Sequence, residues 1–226
     1  MTTRTPYAGF AALIEALTFI IGFALYTTVL MPAGYLDSST PVQQKAAFMV
    51  DNQGLLYIWN LIIYILFGFA LVVLSLGLHD RLKASTPMLS QVATTFGLIW
   101  SGLILATGMT ANIGMGMVAE LHLANPDRAG QIWQVTKLVE SSLGGGNEIA
   151  GGVWVLLISL AAQRARLFHP GLNLAGMVFG ASGLLTVVPP LQPVAGPIFG
   201  LGLIAWFIGC GISLLRHREQ AHWASA

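Results

Sequence analysis

Glu15 is the residue whose type and place most invite chemistry. It stands inside the apolar run Ala8–Met31, and no Lys, Arg or His falls in that run or in the other long apolar runs of the chain. It lies seven residues in, roughly 10 Å along a helix at 1.5 Å per residue. Ionisable groups in hydrocarbon are costly and mark coupling sites or ion paths. Glu15 is therefore a candidate for proton or cation coupling. The alternative is a protonated side chain bonded to a neighbouring helix, or one reaching water near the inner interface.

A second set of binding or coupling candidates is Asn60, Tyr64, Asn112, Asn147 and Glu148, with Glu120 and His122 in the loop nearby. Together they could line an outward-facing polar pocket. Equally, Asn147 could cap a helix while Glu148 sits at its positive end. Met115-x-Met117, followed by His122, offers the soft thioether and imidazole that suit Cu(I). Methionine is also a common gap filler between helices, and no metal site is assigned. The single cysteine, Cys210, excludes an internal disulfide and any Cys-built metal centre. All five histidines lie outside the apolar runs or at their ends, which disfavours an intramembrane haem. No phosphate-binding loop, H-E-x-x-H or G-x-S-x-G occurs. His79-Asp80 has no evident nucleophile beside it in sequence. No catalytic residue and no cofactor is assigned.

The elements that must hold these residues are membrane helices. Only 8% of the 226 residues are charged and 55% are hydrophobic, against about 25% charged in soluble domains. The net charge of +1 argues against a nucleic-acid footprint. Six runs are of spanning character: Ala8–Met31, Gly54–Leu78, Leu89–Ile113, Glu148–Ala162, Leu172–Val188 and Ala195–Leu215. The first is too long for a signal-peptide core and has no clear cleavage site, so it reads as a retained helix. Arg4, Arg81, Lys83, Arg164, Arg166, Arg216 and Arg218 all fall on one side, which predicts cytoplasmic N and C termini. Tyr26, Tyr57 and Trp59 fall at the opposite interface. The two longer loops there each predict a short amphipathic helix. One runs through Val42–Val50. The other starts at Asn125-Pro126, carries an apolar stripe of Ile132, Val135, Thr136, Val139 and Leu143, and stops at Gly144-Gly145-Gly146. These helices are a packed cap or a lid.

The hairpins of spans two–three and four–five match at an offset of 83, pairing Arg81 with Arg164, Pro87 with Pro170 and Gly97 with Gly180. That is either a parallel repeat or two inner loops with the same needs. Polar and small residues form stripes that should face inward. They are Ala11, Glu15, Thr18 and Gly22; Tyr57, Asn60, Tyr64 and Gly68; Thr94, Gly97, Ser101, Gly108 and Asn112; and Glu148, Gly152 and Ser159. Gly176-x-x-x-Gly180 and Gly196-x-x-x-Gly200 offer faces for a second copy or a partner subunit.

The run Asp51-Asn52-Gln53-Gly54-Leu55-Leu56 and the stretch Arg164-Ala165-Arg166-Leu167-Phe168-His169-Pro170, with the Gly-rich span after it, resemble a bacterial six-helix membrane family. It is known only as a domain of unknown function (number four-three-eight-six). The resemblance covers about residue 45 to the end. It implies a multi-pass protein of the bacterial cytoplasmic (inner) membrane and no assigned activity. Three functions fit the residues. One is binding, sensing or transporting a small or lipophilic molecule through an outward-facing cavity. Another is a structural or accessory subunit. The third is a membrane-embedded enzyme acting on a lipid or quinone.

Overall fold

The computed structural model describes residues 6–145 and 148–223, the side chains of 217–223 excepted. Arg4, Asn147 and the side chain of Arg218 thus lie outside the described residues. The fold is all helical, with no strand among the described residues. The helices are α1 (Tyr7–Leu25), α2 (Val42–Asp51), α3 (Gln53–Asn60), α4 (Phe67–Leu82), α5 (Pro87–His122), α6 (Pro126–Glu140), α7 (Ile149–Ala165), α8 (Pro170–Leu185) and α9 (Gln192–Trp223). Wider π-helical turns follow α1 (Tyr26–Leu30), join α3 to α4 (Leu61–Leu66) and follow α6 (Ser141–Gly145). The first has a local cause. The Thr27 and Thr28 hydroxyls donate to the carbonyls of Phe23 and Ala24, at 2.9 and 2.7 Å, and such back-bonding loosens a helical ladder.

Five stretches are long and apolar enough to cross a membrane by length and composition: Tyr7–Leu30, Gln53–Leu82, Pro87–His122, Pro126–Ala165 and Gln192–Arg216. The fourth includes residues 146–147, and its apolar part is α7. The expected span Leu172–Val188 is instead α8, of 16 residues. At 1.5 Å per residue it reaches about 24 Å, short of a hydrocarbon core of about 30 Å. It ends early because the Thr186 hydroxyl donates to the Gly183 carbonyl at 2.7 Å and Pro189-Pro190 follows. The third expected span also changes. It runs on past Ile113 to His122, because nothing breaks the helix before Asn125-Pro126.

Two compact units make up the chain. The first holds residues up to Phe19, Phe67–Gly102 and everything from Asn147 on. Its helices meet through glycine. A Cβ on Gly180 would lie 2.6 Å from the Leu156 nitrogen, and one on Gly152 would lie 2.8 Å from the Gly180 carbonyl, so α7 and α8 touch backbone to backbone. Gly151 faces the Trp100 ring, Gly202 faces Phe179, and Gly9 faces Gly211 and Leu215. In lipid, where apolar surface gains nothing by leaving solvent, such close approach is what draws helices together. The Gly176–Gly180 face is therefore used inside the chain against α7 and α9. That corrects the expectation that it receives a partner. Gly196, by contrast, has open space beside it, while Gly200 is buried. Leu98 and Ile99 on α5 and Ile198, Leu201 and Ile212 on α9 are exposed and suit contact with lipid.

Both helical hairpins of this unit keep the 83-residue offset at their turns. The helices end at Leu82 and Ala165 and resume at Pro87 and Pro170. Locally the turns differ. Arg166 takes a left-handed conformation (φ 52°). His169 caps α8, its Nδ1 accepting from the Gly171 N–H at 3.1 Å.

The second unit holds Ile20–Leu66 and Leu103–Gly146. Here α2 and α6 are the two expected loop helices. The Asn125 side chain accepts from the Arg128 N–H at 3.0 Å and caps α6. Gly130 lets α6 approach Val42 and Gln43 of α2. The apolar stripe on α6 is rotated from the expected one. Ala129, Trp133, Thr136 and Glu140 are buried, whereas Val135 and Val139 are exposed. Trp133 buries more apolar area than either valine and so sets which face turns in. On α3, Leu56 and Asn60 form the buried line. Tyr57 leaves the expected inward stripe and is 48% exposed, as an interfacial aromatic would be.

Gly180→Val should destabilise the folded chain by about 1–3 kcal/mol through overpacking, read as a lowered unfolding midpoint in detergent. Gly102→Ala, which meets nothing within 4 Å, should leave that midpoint unchanged or slightly raised.

Candidate functional site

Glu15 lies in the first unit on the buried face of α1, with Ala8, Ala11, Ala12 and Thr18. Its backbone carbonyl accepts from the Thr18 hydroxyl at 2.8 Å. Its side chain is 0% exposed, and neither carboxyl oxygen has a hydrogen-bond partner among the described residues. The packing around α1 explains the burial. Gly77 of α4 admits Ala8, and Gly211 of α9 admits Gly9 and Leu13, so two helices close on this face. One turn further along, the Phe19 ring meets Phe67 edge-on at 5.5 Å and Phe207 at 6.1 Å. Helical side chains lean toward the N-terminus, which brings Phe19 back over the turn that carries Glu15.

Those rings begin a continuous aromatic cluster. Phe67 meets Trp100 at 5.2 Å, Trp100 meets Trp154 at 5.9 Å, and Trp154 meets Trp206 at 5.7 Å. The cluster contains polar atoms without partners. The Ser75 hydroxyl and the Trp154 indole nitrogen share the space over Gly97. The Ser159 hydroxyl and the Trp206 indole nitrogen share that over Gly176. None of these four groups, nor the Trp100 nitrogen, has a partner among the described residues. Buried polar atoms are nearly always bonded, so these groups are polar anomalies inside the aromatic cluster, in the same unit as Glu15. Sequence reading found Glu15 and Ser159, but missed the tryptophans and Ser75. Their indole and hydroxyl groups matter only because glycine on the next helix brings them together.

The other candidates are divided between the units. Asn60 and Asn112 belong to the second unit and bond to each other, the Asn60 amide donating to Asn112 Oδ1 at 3.0 Å. Tyr64, half-buried, packs its Cβ on Gly108 of α5. Glu148 belongs to the first unit and precedes α7. Its N–H donates to the Thr186 hydroxyl at 2.8 Å, and its carboxylate forms no cap on that helix. Asn147 is outside the described residues. Met115 and Met117 are not brought together. Met115 is 1% exposed and Met117 is 47% exposed, because residues two apart on a helix point to nearly opposite sides. Met115 packs in an apolar core with Leu30 and Val118. His122 ends the same helix and its Nδ1 has no partner among the described residues. His79 does have a partner, which lies 11 residues on: its Nδ1 is 2.8 Å from the Ser90 hydroxyl. Ser90 is fully buried, so the pair fastens the α4–α5 turn and presents no accessible nucleophile.

A further cluster, missed in the sequence, ties the two loop helices of the second unit. Trp133 donates its indole N–H to the Tyr35 hydroxyl at 2.9 Å, and the two rings pack edge to face. Lys137 pairs with Glu140 at 2.7 Å and sits 5.6 Å from the centre of the Tyr35 ring. Lys45 of α2 lies 5.1 Å from the centre of the Trp133 ring. The sequence separation of 98 between Tyr35 and Trp133 leaves no local signal of this pairing. Burial pushes the Tyr35 phenol above the ordinary tyrosine range. The Lys137 ammonium and the Trp133 bond pull it back, and Glu140 adds to the rise.

No protein-family model, no curated protein and no solved structure matches the chain.

Tyr35→Phe should destabilise the chain by about 1–3 kcal/mol, since the buried Trp133 N–H loses its acceptor. An unfolding midpoint in detergent checks it. The raised Tyr35 phenol also has a sign. The neutral form is favoured in the fold, so its stabilisation is whole below the ordinary tyrosine value of about 10. It is lost as pH rises through the higher folded value. In phenolate absorbance titrations, the step that Tyr35→Phe removes should be the late one.

Proposed function

We propose that this chain is a multi-pass protein of the bacterial cytoplasmic membrane that binds, senses or moves a small or lipophilic molecule, with Glu15 coupling that binding to a proton or cation. The observation that carries the reading is the fully buried Glu15 carboxyl with no hydrogen-bond partner among the described residues. An isolated buried charge costs several kcal/mol unless something pairs with it. A carboxyl retained there has its use in taking up and giving off positive charge. The same reading has six spans, with α8 as the shortest, and both termini in the cytoplasm. The side that gathers most basic residues supports that topology, as does the resemblance to the six-helix family. In this reading the connections that carry α2 and α6 fall, by span count, on the outer side, with access from there as part of the proposal.

The test uses the full chain in lipid nanodiscs, titrated with a long-chain amine, a fatty acid and a short-chain quinone at several pH values. Tryptophan fluorescence reports binding, since Trp100, Trp154 and Trp206 share the unit of Glu15. At least one probe should saturate with an affinity that changes with pH, and Glu15→Gln should abolish that change. If no probe saturates, or if the pH dependence survives in Glu15→Gln, the reading is wrong.

A further inference from the structure

The ligand class can be narrowed from what surrounds Glu15, and this step rests on the function just proposed. A cation can pair with a buried carboxylate, and the described apolar stretches of this unit supply none. On α4 the stretch Phe67–Leu78 has no ionisable side chain, and on α9 between Phe199 and Leu215 the Cys210 thiol is the only one. The described parts of α5, α7 and α8 in this unit add none within their apolar stretches. Glu148 stands outside those stretches, before α7 begins.

A divalent inorganic cation is a poor fit. Calcium or magnesium needs about six oxygen ligands, and no group of three or more His, Cys, Asp or Glu that could hold a metal occurs among the described residues. The next turn of α1 carries an aromatic side chain. Phe19, on the next turn of the same face, is the edge of the cluster that runs through Phe67 and Phe207 to the tryptophans. One carboxylate next to aromatic faces suits an organic cation, whose charge is met by the carboxylate and whose apolar groups are met by the rings.

We infer that Glu15 and the Phe19–Phe67–Phe207 edge of the aromatic cluster form a binding site for a lipophilic organic monocation, which exchanges with the proton on Glu15. The step balances. The neutral carboxyl gives up one proton to the aqueous phase, and the carboxylate left behind pairs with one monocation. The site keeps its net charge, so no step exposes an unpaired carboxylate. Unpartnered indole N–H groups deeper in the cluster are donors, not acceptors. They offer a cation no lone pair, so Glu15 is the group that meets its charge.

Tetraphenylphosphonium and tetraphenylborate decide the matter, being matched in size and apolar surface and opposite in charge. Both are titrated against the full chain in nanodiscs, with empty nanodiscs subtracted, and proton release is followed with a pH dye in weak buffer. Tetraphenylphosphonium should bind more tightly as pH rises and release about one proton per cation bound. Tetraphenylborate should bind at least roughly tenfold more weakly. Glu15→Gln should weaken the phosphonium by roughly tenfold or more and end proton release. Glu15→Asp, which keeps the charge, should restore the preference for the cation and shows that loss in Glu15→Gln is not loss of fold. Phe19→Leu should weaken the phosphonium by about threefold while leaving proton release in place. Equal binding of the two ions, or cation binding without proton release, overturns the inference. A fatty acid or quinone that binds with a Glu15-dependent pH profile while the phosphonium does not would overturn the cation class alone and leave the proposed function standing.

Discussion

The contact on which the first unit depends is glycine against a neighbouring helix. In a bilayer there is no hydrophobic force to press apolar helices together, so association relies on close van der Waals fit and on polar bonds across helices. Glycine supplies the fit. Gly152, Gly180 and Gly183 let α7 and α8 touch through their backbones. Gly97, Gly151 and Gly176 each accept a tryptophan from another helix. The aromatic rings then fill the width that the missing side chains leave, and dispersion over large, well-packed rings holds the helices. A Cβ at these places would sit against backbone or a rigid ring, and neither can give way cheaply.

That packing also creates the polar anomaly. α1 is held closely by α4 and α9 at Gly77, Gly9 and Gly211, and the Glu15 side chain is buried there with no hydrogen-bond partner among the described residues. The Ser75 and Ser159 hydroxyls are drawn beside indole nitrogens in the same way. A structure that merely needed to be stable would gain by replacing Glu15 with an apolar side chain of similar volume. Its presence in so dry a place is the physical reason to assign it work with protons and cations.

The second unit rests on a different kind of contact. Its two loop helices are fastened by directed polar and aromatic interactions, the Trp133–Tyr35 bond and the Lys137–Glu140 pair, together with a Gln43 amide donating to Asp127 at 3.1 Å. Such bonds are usable in short amphipathic helices, which carry the charged side chains that spans exclude. Lys45 and Lys137 could be read from sequence only as charges in loops. Both are in fact set against aromatic rings, their stems lying along apolar surface.

The sequence by itself determined the class, most helix positions and the one carboxyl placed deep in an apolar run. These follow from composition, run length and helix-breaking residues, which act locally. It also marked Asn125-Pro126 as a helix start and Val42–Val50 as a short helix, since capping and proline geometry are local too. It misjudged the length of the third and fifth spans, where Asn125-Pro126 and Thr186 with Pro189-Pro190 decided the ends. Only the tertiary structure decided which faces turn inward. The α6 stripe was set by Trp133, Tyr57 turned outward, and Met115 and Met117 were sent to opposite sides. It alone showed that the Gly176–Gly180 face is filled from within, that His79 meets Ser90, and that the Glu15 carboxyl is buried without a hydrogen-bond partner among the described residues. Each of these depends on which side chain of a distant helix fills a given glycine gap, and that information lies in pairs of positions far apart in the chain.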